Sequence, residues 1–241
     1  MTNTHFRLAT SLSVSNLAAA DSTATIDLGG AGTNLTVNEG GNTTFAGGMS
    51  NAGGLIKAGA GTLTLGGVNT YSGSTTVSNG TLLVDGSMAS SACTVLTNTM
   101  LGGTGTVGAV TVVSGGILAP GHGGVGSLNS GAVELQAGSI LAIQINSATP
   151  AANTLAASGV TIRDGVRLSL TDSDTTYLGG GTDYTLVSRS LGNDAEAFAG
   201  YPEGRMFLLG QNYFTITYKG GAGHDVVITS VKYEGSVYTI R

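Results

Sequence analysis

The chain has 241 residues, 41 of them Gly, with no Trp, three Pro, 41% hydrophobic residues and a formal net charge of -5. Only 10% of residues are charged, against about 25% in an average globular domain, yet there is too much apolar surface for a disordered chain. Nine unclustered Lys and Arg exclude a nucleic-acid partner held through phosphates, and the single Cys93 excludes an internal disulfide or a thiolate zinc site.

In chain order, the first stretch, "MTNTHFRLATSLSVSNLAAADS", carries one Arg and is too polar for a signal-peptide core. No later run approaches the ~20 apolar residues of a membrane-spanning helix. From Val37 onward one short unit recurs: an aliphatic residue, two mostly small or polar residues, then Gly. It ends at Gly40, Gly59, Gly80, Gly116, Gly138 and Gly165, with a degenerate copy at Leu96-Thr97-Asn98-Thr99. Its aliphatic positions are Val37, Ile56, Val77, Leu96, Val113, Leu135 and Ile162, and the widest gap is the last.

Each copy reads as a corner where glycine supplies a positive φ. The flanking runs, such as "TLLV" (81–84) and "SILAIQI" (139–145), alternate inward and outward as strands do. A period of roughly 20 residues predicts a right-handed parallel β-helix, an all-β solenoid whose rungs bury their faces only against neighbours. An antiparallel sandwich would instead place turn signals every 8–12 residues. The predicted rungs fill residues 1–175, most clearly 37–170.

At "GTLTLGGVNTYSGSTTVSNGTLLV", residues 61–84, the chain resembles the passenger-associated transport repeat, also called the autotransporter-associated β-strand repeat, of bacterial exported proteins. Asn69, Tyr71 and Gly73 are among the matching residues. The stretches at 101–121 and 126–146 resemble rungs that accompany it. The resemblance implies a β-helical passenger stalk, secreted or displayed on the cell surface, whose repeat assists export and folding.

Gly103–Gly108 and Gly121–Gly126 each fit the dinucleotide fingerprint G-x-G-x-x-G. That motif needs a following helix to meet a pyrophosphate, and "AVTVV" and "SLNSG" follow instead, so both read as turns. No nucleophile elbow surrounds His5, His122 or His224, and His122 in "PGHGG" reads as a surface turn. No two successive corners carry an acid, as a glycan lyase or hydrolase would need. Asp172 and Asp174 read as an Asx-type turn, with weak calcium binding as the alternative.

Residues 160–241 hold 16 of the 23 charged residues and ten of the thirteen aromatics. Residues 176–241 are therefore predicted to cap the rod, since an open end exposes strand edges and core. "YFTITY" (213–218) and "DVVITSV" (225–231) form a hairpin in this reading, and 190–200 one helical turn with Asn193 as N-cap and Gly200 closing it. "GGAGHDVVI" (220–228) fits one calcium nonapeptide. A lone copy supplies half a site, so it reads as the hairpin's turn, Asp225 included.

The expectation is a non-enzymatic structural or adhesive stalk without cofactor or metal. Its partners would be further copies of itself, or carbohydrate or protein at a surface. A β-helical glycan-active enzyme is the alternative.

Overall fold

The computed structural model describes residues 5–174, 176–190 and 197–232. Within them every regular element is a β-strand, and most strands pair in parallel to the strand one coil earlier. The long sheet stacks Asn34–Asn38, Gly54–Ala58, Thr75–Val77, Cys93–Val95, Val110–Val112, Ser127–Leu135 and Thr154–Ile162. The second sheet stacks Asn42–Phe45, Thr62–Leu65, Thr81–Val84, Met100–Gly103, Ile117–Pro120, Ile140–Asn146 and Arg167–Asp172. Short strands such as Thr25–Asp27 and Gly48–Ser50 form the third side. The chain is a parallel β-solenoid.

Its core follows from the strand period of two. On the second sheet, Leu63, Leu82, Leu101, Leu118, Leu141 and Leu168 lie in register, one per coil, and all are buried. Like residues one rung apart, about 4.8 Å, pack methyl against methyl.

The facing column on the long sheet corrects the sequence reading. Its members are Val37, Lys57, Val77, Val95, Val112, Leu135 and Ile162. Ile56, Leu96 and Val113, which the sequence pattern puts inward, each lie one residue away and face partly outward. The next corner's positive φ falls at Gly80, Asn98, Gly115, Gly138 and Gly165, at the third position after the column. Gly116 is therefore not the left-handed residue of its turn, and Gly40 has no positive φ either. In four coils the turn closes by an i to i+3 bond, such as Gly116 N–H to Val113 O at 2.9 Å and Ser139 N–H to Gln136 O at 2.9 Å. Asn98 can stand among glycines because Asn tolerates the left-handed region better than most residues.

Lys57 is the charged exception in the column. It is fully buried, and its Nζ donates to the carbonyls of Ala58 (3.0 Å), Gly59 (2.9 Å) and Asn79 (3.1 Å). Its three donors thus meet three acceptors at the corner. Burial lowers its pKa below the ordinary lysine value, against the opposing pull of Glu39. Glu39 is buried as well and accepts the Leu17 N–H at 2.7 Å.

After the coils, Asp183–Arg189 pairs in parallel with Thr154–Ile162, and the chain then reverses. Asp225–Val231, Asn212–Gly220 and Met206–Leu209 extend the long sheet as antiparallel strands. The first two form the expected hairpin. Aromatic rings replace the leucine ladder here: Tyr184 meets Phe214 edge-on at 5.8 Å, and Phe214 stacks on Phe207 at 6.0 Å. The Tyr218 hydroxyl accepts the Phe198 N–H (3.0 Å) and donates to Tyr201 O (2.7 Å). Asn193, the expected N-cap, lies outside the described residues, while Ala199 and Gly200 form a turn.

Candidate functional site: a groove on the outer face of the second sheet

The outward residues of the second sheet form columns, as the inward ones do. In one column Thr64, Leu83, Gly102 and Ala119 follow one another by register, and Ala142 and Ser169 pair on the coils beyond. Side-chain volume falls to nothing at Gly102 and stays small over the coils that follow. A Cβ on Gly102 would sit 2.6 Å from Ala119 O, so the backbone packs too closely there for any side chain. Thr62, Thr81 and Met100 flank it in the neighbouring column, and Gln144 and Thr171 in another.

One wall is made by an insertion. The coil from Val112 to Leu135 is longer than those from Val77 to Val95 and from Val95 to Val112, and the excess forms the loop after Pro120. Gly121 is tied to Gly103 by a pair of backbone bonds of 3.1 and 2.9 Å, and Asn153 Oδ1 accepts the Gly126 N–H at 2.9 Å. The resulting groove has a volume of about 510 Å³ and is lined by Thr, Ser, Asn and Gln side chains among Leu83, Met100, Ala119 and Pro120.

His122 stands on that wall. Its Nδ1 lies 2.6 Å from Asp85 Oδ2, while Asp85 Oδ1 accepts the N–H (3.2 Å) and the hydroxyl (3.3 Å) of Thr104. Asp85 thus anchors the ring through Nδ1 and leaves Nε2 for another partner. Among the described residues, His122 is the single ionisable side chain in the groove's lining. Sequence reasoning reads His122 as a plain turn residue and passes over Asp85, which stands two coils earlier. The signal lies in the spacing: Leu83, Gly102 and Ala119 align by register, which sends Asp85 and His122 to the same corner.

The residues picked from the repeat lie elsewhere, inside the coil. Asn69 is buried and joins three rungs: its Oδ1 accepts Met49 N–H at 3.0 Å, and its Nδ2 donates to Gly67 O and Ser87 O at 3.1 Å each. Tyr71 is fully buried, with its hydroxyl 2.6 Å from Thr75 Oγ1; Thr75 then meets Ser91 (2.8 Å), which donates to Gly73 O (2.7 Å). Gly73 passes so close to the previous rung that a Cβ would lie 2.3 Å from Gly53 O. Burial raises the Tyr71 hydroxyl well above the usual tyrosine range and pushes the Cys93 thiol up to about 12. Both stay protonated, and Cys93 is no thiolate nucleophile.

The acidic candidates are taken up in turns. Asp172 Oδ1 accepts the N–H groups of Ser147 and Asp174, both at 3.1 Å, and Asp174 Oδ1 accepts the Thr176 N–H at 2.8 Å. Asp225 Oδ1 accepts the Arg189 N–H at 2.9 Å, and the glycine-rich turn closes with Gly223 N–H on Gly220 O at 2.8 Å. Among the described residues no three His, Cys, Asp or Glu side chains converge in a way that would hold a metal ion. Likewise, no described helix is long and apolar enough to cross a membrane.

Stacked parallel coils define the chain as a parallel β-solenoid, with a groove on its outer face. The family model for the passenger-associated-transport-repeat matches residues 55–84. Those residues carry the chain from Leu55 through Asn69, Tyr71 and Gly73 to Val84, the stretch whose side chains tie neighbouring rungs together. Repeat and fold together fit an autotransporter passenger. No curated protein matches the chain.

Proposed function

We propose that the chain is a non-enzymatic stalk or adhesive segment of a passenger exported to the bacterial surface. The observation that carries this reading is the transport repeat at 55–84 set inside an unbroken ladder of parallel rungs. Each rung buries its apolar face on its neighbours, so a rod of this kind can nucleate at any rung and grow by adding the next. The antiparallel strands and aromatic rings after residue 183 serve as its cap. Groove chemistry supports binding rather than bond cleavage: glycoside cleavage uses two facing carboxylates, and His122 is the sole ionisable group of the lining among the described residues.

Self-association fits the other end. Phe6 and Leu12 are exposed there beside an apolar hollow of about 350 Å³ lined also by Leu17, Ile26 and Phe45. A second copy would cover it, as open strand edges invite pairing.

The test is export. The chain is placed between a signal peptide and a translocator barrel, and intact cells are treated with protease. Surface display of a protease-resistant core is expected; a folded chain retained in the periplasm would overturn the reading. Sedimentation over a hundredfold concentration range tests self-association, and a constant monomer mass would refute it.

A further inference from the structure

We propose that the groove on the second sheet binds an uncharged, hydroxyl-rich glycan strand laid along the solenoid axis. The proposal deepens the adhesive reading above by naming the class of ligand and the residues that hold it.

Three observations carry it. The first is shape. The hollow runs across the strands from the coil of Thr62 to that of Ser169, crossing six rungs, a span of roughly 24 Å at about 4.8 Å per rung. A ligand lying in it meets a polar side chain at five of those rungs, the rung of Met100 being the exception, a spacing close to the rise per sugar of an extended glycan. Compact metabolites would use only part of such a trench.

The second is chemistry. Thr62, Thr81, Ser169 and Thr171 present hydroxyls, and Gln144 and Asn153 present amides. These groups both donate and accept, as sugar hydroxyls do. Between them Leu83, Met100, Ala119 and Ala142 give a low apolar floor suited to the C–H face of a sugar ring. The lining offers an acidic or basic polymer no row of opposite charge, and a wholly apolar ligand would strip water from the hydroxyls without replacing it.

The third is construction. The groove's depth comes from the small side chains Ala119 and Ala142 in its lining, set beside backbone packed so closely that Gly102 has no room for a Cβ. The wall is fixed by the Gly103–Gly121 bond pair and by Asn153, so a ligand would meet a site already shaped. His122, held through Nδ1 by Asp85, keeps Nε2 for a hydroxyl at the rim.

The experiment is titration of the ¹⁵N-labelled chain, followed by NMR, with cellohexaose, maltohexaose, chitohexaose and hexagalacturonate. At least one neutral hexasaccharide is expected to shift amides of Ala142, Gln144 and Thr171, with the acidic one at least tenfold weaker. Ala142→Glu, which fills the hollow from an outward position, should weaken binding tenfold or more. Gln144→Ala should weaken it by about threefold to tenfold, the loss of one hydrogen bond. Thr111→Glu on the outer face of the long sheet should leave it unchanged. The proposal is overturned if no neutral hexasaccharide shifts groove amides, if hexagalacturonate binds as well or better, or if Gln144→Ala leaves affinity untouched. Because export and display are measured separately, a chain that is displayed but binds none of these sugars removes the glycan site and leaves the stalk standing.

Discussion

The parallel coils and the antiparallel strands after residue 183 solve one burial problem by different means. In the coils the core repeats: one leucine per rung from Leu63 to Leu168, each packed on a copy in an adjacent rung. In the antiparallel strands nothing repeats, and unlike rings fit one another, as with Tyr201 edge-on to Phe207 at 5.0 Å. Polar groups follow the same division. Asn69 acts between successive rungs, whereas Tyr218 and Asn212 pin particular loops, Asn212 joining Leu178 N–H and Thr176 O. A solenoid tolerates a repeated, generic core because its register comes from neighbouring rungs, while antiparallel strands with no copies to stack on rely on specific contacts.

Core truncations test this difference most strongly. Phe214→Ala should cost about 3–5 kcal/mol and Leu101→Ala about 2–5 kcal/mol, read by urea denaturation. Hydrogen exchange should separate them. Phe214→Ala should release protection mainly in 183–231, and Leu101→Ala in the coils on both sides of its own. Equal loss of protection along the chain in both variants would show a single cooperative unit and dissolve the distinction.

Lys57 sharpens the comparison from within the coils, as a charged residue in an aliphatic column. Lys57→Ala removes the donor for three carbonyls and leaves a cavity, so a loss of about 3 kcal/mol is expected. Lys57→Met refills the volume and should cost less. If the two variants melt alike, the cavity carries no weight; if Lys57→Met melts like the parent chain, the hydrogen bonds at that corner carry none. Asn69→Ala should cost about 1–3 kcal/mol, with protection lost at the Met49 amide, whose N–H loses its acceptor.

Alkaline pH should weaken both regions by one mechanism. The Cys93 thiol, ordinarily titrating at 9.0, is pushed up to about 12 by burial, and Tyr218 rises from 10.0 to about 12 for the same chief reason. The unfolded chain therefore loses these protons first, and stability is kept below pH 9 and lost as pH rises toward 12. Cys93→Ala should flatten the onset just above pH 9; an unchanged melting curve there would deny the thiol a part. The smallest effect is expected at the groove's wall, where His122→Ala should move stability by no more than about 0.5 kcal/mol.

Much of the architecture is legible in the chain. Short alternating runs and a turn unit recurring at near-constant spacing identify coils, and "YFTITY" with "DVVITSV" identifies the hairpin. The corner column reads one residue off at Ile56, Leu96 and Val113 because an aliphatic neighbour stands beside the true inward position. At Lys57 the misreading has a further cause: a lysine with all three donors satisfied looks, in sequence, like a surface residue. The groove is not legible, since its floor is made by small residues, Ala119 and Ala142, that carry no motif.

The sequence by itself determined a solenoid of parallel rungs carrying a transport repeat, because strand alternation and turn chemistry are local properties of consecutive residues. Only the tertiary structure decided the register, and with it which side chains face inward, since a slip of one residue exchanges the two faces of a strand. Register also brought Asp85 to His122 and opened the hollow over Ala119 and Ala142. Those are relations between rungs, set by hydrogen bonds between strands a full coil apart in the chain, which no local pattern encodes.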